Sequence, residues 1–136
     1  MDLLVNIDVP DLERGLAFYT AAFGLRCGRR LGADFVELLG AAAPIYLIVA
    51  APGAEPYRGA ASRRAYSRHW TPVHLDFVVP DLDSALDRAL LAGAVLEGGP
   101  TEHAYGRLVL LSDPFGHGEC LLQFNARGYD AIMSSS

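Results

Sequence analysis

The chain has 136 residues, of which 51% are hydrophobic and 20% charged, with a formal net charge of −5 at pH 7. It is long enough to bury a real core and too apolar to be a disordered chain. The acidic balance argues against nucleic acid and anionic membrane as partners, no apolar run approaches the roughly 20 residues that span a bilayer, and Cys27 and Cys120 are too few for a disulfide scaffold.

The start, Met1-Asp2-Leu3-Leu4, lacks the basic segment and cleavage site of a secretory signal, so the expected location is cytoplasmic, with both thiols reduced. Val5, Ile7 and Val9 then alternate with Asn6 and Asp8, the period of a half-buried strand. Pro10-Asp11 ends that strand, and Asp11 can cap a helix. Leu12, Leu16, Tyr19 and Phe23 share one helical stripe, and Gly24 stops the helix. Three short strands are expected at about 25–31, 34–39 and 44–50, closing a first module over 3–50.

The linker 51–71 is distinctive. It holds Arg58, Arg63, Arg64 and Arg68 against Glu55 alone, with Tyr57, Tyr66 and Trp70 interspersed. A loop of that length is either mobile or functional. It can offer cations and aromatic faces to a ligand, hold a dimer partner, or act as a solvated tether.

Val9-Pro10-Asp11-Leu12 returns as Val79-Pro80-Asp81-Leu82, an offset of 70. A repeat of this kind decides the fold before any single element does. In the second module, 72–125, Leu75, Phe77 and Val79 alternate with His74, Asp76 and Val78. Leu82, Ala85, Leu86, Ala89 and Leu90 form the second stripe, and Gly93 stops it. Strands are expected at about 95–99, 107–112 and 118–125, with Asp113-Pro114-Phe115-Gly116-His117-Gly118 as a turn. The tail 126–136 is expected to dock Tyr129 and Ile132 and to end in disordered serines. The order is strand, helix, three strands, twice over: an α+β chain of tandem βαβββ modules. Helices cover the Val5/Ile7/Val9 and Leu75/Phe77/Val79 parity, so Asn6, Asp8, His74 and Asp76 face solvent or a cavity.

The opening "VHLDFVVPDLDSALDRALLAGA", the later "GRLVLLSDPFGHGECLLQF" and the first-half "NIDVPDLERGLAFYTAAFGL" resemble the vicinal oxygen chelate superfamily, the glyoxalase/bleomycin-resistance/dioxygenase proteins. The likeness spans about residues 3–125. It implies that the two modules form two curled mixed sheets around a cleft, with a ligand in that cleft, and a homodimer. The superfamily's metal enzymes place a ligand seven residues before each strand-ending Asp, which is His74 in half two but Leu4 in half one. They place another seven after the Asp of Asp-Pro-x-Gly, which here is Cys120, with Glu119 one residue off and on the other face. The half-one equivalent is about Tyr46 or Leu47. With so few donors the resemblance implies no cofactor; the alternative is a divalent metal on His74 with Glu119 or Cys120.

The candidate catalytic residues are therefore His74, as acid/base, ligand or structural histidine, and Asp76, which can orient it, act as base, or pair with an Arg such as Arg107. Leu4, Asn6, Tyr46, Trp70, His103, Tyr105, Arg107 and Cys120 are candidates to bind a ligand. No phosphate loop, Ser-centred elbow or Cys-x-x-Cys pair is present, which disfavours nucleotide-driven chemistry. The expectation is a metal-free protein that binds a hydrophobic or aromatic metabolite or antibiotic. The alternative is an isomerase, cyclase or lyase that uses His74 and Asp76, or a sparse metal site.

Overall fold

Each half begins with a strand whose apolar parity is covered by the helix that follows it. The computed structural model describes residues 1–135, so Ser136 and any statement about its order lie outside the described residues. In the first half, β1 (Val5–Val9) leads into α1 (Leu12–Phe23), then β2 (Arg26–Arg30), β3 (Phe35–Leu39) and β4 (Ile45–Val49). Asp11 caps α1 by accepting a 2.9 Å hydrogen bond from the Arg14 backbone N–H, which satisfies a donor the helix start leaves open. Gly24 ends the helix at φ 67, a conformation that carries no steric penalty without a Cβ.

The sheet order is β1-β4-β3-β2, with β1 parallel to β4 and the other pairs antiparallel. The helix seats on the parallel pair. A Cβ on Gly15 would meet Val9 and Leu47 at 3.1 to 3.3 Å, so the absence of a side chain lets α1 sit this close. Val9, Leu47, Val36, Leu38 and Tyr19 are all fully buried in this layer. Asn6 pairs with Tyr46 and therefore lies on the uncovered face.

The second half repeats the plan. β5 (Leu75–Val78), α2 (Leu82–Ala92), β6 (Val95–His103), β7 (Gly106–Ser112) and β8 (Gly118–Phe124) form a sheet of order β5-β8-β7-β6. Asp81 caps α2 twice, accepting from the Ser84 backbone N–H at 3.3 Å and the Ser84 hydroxyl at 2.9 Å. The helix covers the Leu121, Gln123 and Arg107 side, since the Leu82 N–H donates to Gln123 Oε1 at 2.7 Å and Arg107 reaches Asp83 at 3.1 Å. The β8 turn is built by buried Asp113, whose Oδ1 accepts from the Phe115 and His117 backbone N–H groups at 2.8 and 2.9 Å.

Three expectations need correction. First, β6 runs on to His103 instead of ending near 99, because two register shifts against β7 let it continue through Gly98 to Pro100. Second, the segment after β4 is not a free tether. Gly53 and Ala54 pair with Arg64 through backbone bonds, Tyr66 donates to the Ala50 carbonyl at 2.6 Å, and Arg64 Nε donates to Asp8 at 2.6 Å. Arg63 meets Glu55 at 3.1 Å, so these cations are matched within their own unit. Third, Tyr129 of the tail meets Phe124 at 4.7 Å and Tyr105 at 5.3 Å, both edge-on, and Tyr129 and Ile132 both stay about half exposed.

The chain divides into two compact units, Met1–Ser67 and Arg68–Ser136. Each is one four-stranded mixed sheet with one helix, an α+β arrangement in which neither sheet is closed. No helix is long and apolar enough to cross a membrane among the described residues.

Candidate functional site

Parallel pairing of β5 with β8 sets Asp76 directly opposite Cys120 and Leu75 opposite Glu119. Cys120 thus lies on the uncovered face with His74 and Asp76, and Glu119 on the helix-covered face, as the alternation of a strand requires. His74 Nε2 stands 3.2 Å from Asp76 Oδ1. Donor atoms of His74, Asp76 and Cys120 all lie within 4.8 Å of one another.

Cys120 is buried, and burial pushes its thiol up to about 12, with the negative charge of Asp76 acting in the same direction. Asp76 therefore sits beside both the imidazole and the thiol, while Arg107 pairs with Glu102 and Asp83. The indole of Trp70 lies 5.5 Å from the His74 ring and is 67% exposed. Val78 and Leu110 are exposed apolar side chains on this same face, since Leu110 pairs with Cys120 and Val78 with Leu122.

The remaining expected residues are placed elsewhere. Arg107 is on the helix-covered face, bonded to Glu102 at 2.9 Å and Asp83 at 3.1 Å, because one strand position separates it from Leu108 on the open face. His103 and Tyr105 close the β6–β7 hairpin with rings stacked at 4.9 Å and 1° apart, and His103 Nε2 is 2.8 Å from Thr101 Oγ1. Leu4 precedes β1 and is 57% exposed, lining a groove of about 600 Å³ with Leu3, Ala43 and Pro44.

Tyr46 belongs to a network that the sequence did not announce. Glu37 lies buried on the open face beside it, since Glu37 pairs with Tyr46 across β3 and β4. The Tyr46 hydroxyl donates to Glu37 Oε2 at 2.8 Å. Arg29 donates to the same carboxylate through Nε at 3.1 Å, Nη2 at 2.7 Å and its backbone N–H at 3.2 Å. These donors, Arg29 first, hold the Glu37 carboxyl down at about 2. The only advance signal was a lone Glu inside the apolar run Phe35–Leu39, which the period-two pattern places with Asn6 and Asp8.

The four-residue metal set of the resemblance does not fit this chain. Leu4 has no donor, and the Tyr46 hydroxyl is engaged with Glu37 and Arg29. The second unit by itself offers a nitrogen, an oxygen and a sulfur, the three-donor minimum for zinc. Such an ion would displace the Cys120 proton. A hard oxygen-seeking ion finds only Asp76 in that cluster.

Comparison with known proteins agrees with this architecture. Uncharacterised proteins of Mycobacterium bovis and Mycobacterium tuberculosis are 31% identical over 138 residues, spanning 96% of this chain and 90% and 81% of theirs. A glyoxalase/bleomycin resistance protein/dioxygenase family enzyme of Burkholderia phytofirmans is similar in structure, with a TM-score of 0.72 at 24% identity, over 92% of this chain and 100% of that one. The fosfomycin resistance protein FosX of Listeria monocytogenes gives 0.68 at 18% identity, over 92% and 93%. TioX of a Micromonospora species gives 0.69 at 18% identity, over 92% and 99%. At these identities the solved structures speak for the fold. A family model, the glyoxalase-like domain, matches residues 4–122, and with it the repeat and the two sheets show that the chain belongs to the glyoxalase-like domain family of the vicinal oxygen chelate superfamily.

Proposed function

We propose that this protein binds a hydrophobic or aromatic small molecule, a metabolite or an antibiotic, on the open face of the second unit without a metal. The observation that carries the reading is the exposed Trp70 indole beside His74, with Val78 and Leu110 on the same face. Exposed apolar groups around a small polar cluster are the usual composition of a ligand site. The His74–Asp76 pair would orient the ligand, and Trp70 would stack on it. The lack of a donor at Leu4 and the engagement of Tyr46 with Glu37 support binding over the metal chemistry of the superfamily's four-residue set.

Trp70 is the single tryptophan of the chain, so its fluorescence reports on this face directly. Titration with a panel of aromatic metabolites and antibiotics should shift or quench that emission saturably. Trp70→Ala should weaken the hit about tenfold, equivalent to about 1.4 kcal/mol, by thermal shift. The ligand recovered by mass spectrometry should be intact. Stoichiometric zinc in protein purified without chelator would overturn the metal-free form.

A second reading is enzymatic, an isomerase, cyclase or lyase, and the His74–Asp76 distance of 3.2 Å favours it. Asp76 accepting from Nε2 would leave Nδ1 of His74 as the basic nitrogen. Under this reading the recovered ligand is converted, and His74→Ala abolishes conversion while retaining affinity.

A further inference from the structure

We propose that the open face of the first unit carries a binding site for the carboxylate of a small organic acid, built on Arg29. It does not rest on the His74 reading. The uncovered face of the first sheet presents one row across three strands, Asn6, Tyr46 and Glu37, set by the β1–β4 and β3–β4 registers. Arg29 reaches over this row from the edge strand β2 and is 67% exposed at its side chain, yet it is not mobile in the ordinary way of a surface arginine. Glu37, itself 6% exposed, holds it from beneath through Nε and Nη2.

The remaining hydrogen of Nη2 goes to the Tyr46 hydroxyl at 3.2 Å. Nη1 has no bond among the described residues, and neither has the Asn6 side chain. A guanidinium fixed in advance loses little freedom when it takes a ligand. The carboxylate that fixes it is fully ionised at neutral pH, so the arrangement persists across the physiological range.

The strand itself is adapted to this network. A Cβ at Gly28 would come within 2.7 Å of Glu37 Oε1, so a glycine is needed for the carboxylate to reach the β2 backbone. β2 changes register against β3 between Cys27 and Arg30, a bulge that turns Arg29 onto this face. Phe35 lies edge-on to Tyr46 at 5.3 Å, adding an apolar wall. Asp8, the other acid on this face, is matched by Arg64 at 2.6 Å and does not repel an incoming anion as a bare charge would. Two free donors, Arg29 Nη1 and the Asn6 amide, beside an aromatic edge suit an aromatic carboxylate.

The test uses benzoate as probe and benzamide as its neutral match in shape. Both are titrated into the full chain while the Arg29 Nε–Hε resonance is followed by NMR. Benzoate should shift it saturably, and benzamide should bind at least about tenfold more weakly. Arg29→Gln in a Glu37→Gln background, which avoids stranding a buried charge, should lose the preference for benzoate over benzamide, read in wild type and variant alike from the side-chain amide resonances of Asn6 on the same row. His74→Ala should leave the benzoate-induced shift of the Arg29 resonance unchanged, so the failure of this site and of the His74 reading are told apart. Equal binding of the two probes, no saturable shift with benzoate, or retention of the preference in the double variant would each overturn the proposal.

Discussion

Asp76 and Cys120 face one another across a parallel strand pair, and burial, with the Asp76 charge beside it, pushes the thiol up to about 12. A thiol held protonated at neutral pH is a poor nucleophile. Cys27, by contrast, is exposed on an edge strand. Iodoacetamide at pH 8 should therefore modify one cysteine per folded chain, Cys27, and both after denaturation. Mass spectrometry of tryptic peptides checks this, and rapid alkylation of Cys120 in the folded protein would contradict the burial argument.

The same thiol sets an alkaline limit. Its folded value lies above its ordinary 9.0, so the folded state keeps a proton that the unfolded chain releases. The stabilisation is whole below about 9 and is lost as pH rises from 9 towards 12. Urea midpoints measured between pH 8 and 11 should fall, and Cys120→Ala should flatten that fall even where it lowers stability overall.

Glu37 acts in the opposite direction. Its carboxyl is held at about 2 against an ordinary 4.5, so its contribution is whole above about 4.5 and fades as pH drops towards 2. Glu37→Gln should remove this part of the acid dependence. The comparison of wild type and variant midpoints between pH 5 and 2.5 is the measurement, and parallel curves would count against the assignment.

Gly28 and Glu37 should be energetically coupled. Gly28→Ala puts a methyl group 2.7 Å from Glu37 Oε1 and should cost about 1–3 kcal/mol, the usual range for overpacking. In a Glu37→Ala background the cost should largely disappear. A double-mutant cycle by chemical denaturation reads the coupling, and additive effects would rule it out.

Gly106 opens β7 at φ 147, and a Cβ there would overlap the Gln123 carbonyl oxygen on the neighbouring strand. Gly106→Ala should cost more than about 2 kcal/mol, since backbone strain and a backbone clash combine. Gly53, also at positive φ but with open space around it, should tolerate Ala with a smaller loss. Equal losses at the two positions, measured by thermal unfolding, would show that the clash does not matter.

The repeat was legible in the sequence, because Val-Pro-Asp-Leu marks the same physical event twice: a strand ending, a proline that will not continue it, and a carboxylate that caps the next helix. Period-two alternation placed His74 and Asp76 on the uncovered face, and the Asp113 turn set the count that put Cys120 beside them. These are local signals, each written within a few residues. What the tertiary structure decided was partnership across strands. Arg107 turned to Asp83 on the helix, Arg64 to Asp8, and Arg29 to Glu37 and Tyr46. An arginine is long enough to reach any of several carboxylates from one backbone position. Which one it meets depends on strand order, a bulge in β2 and a glycine whose missing Cβ leaves room, and none of these is a property of one segment of the chain.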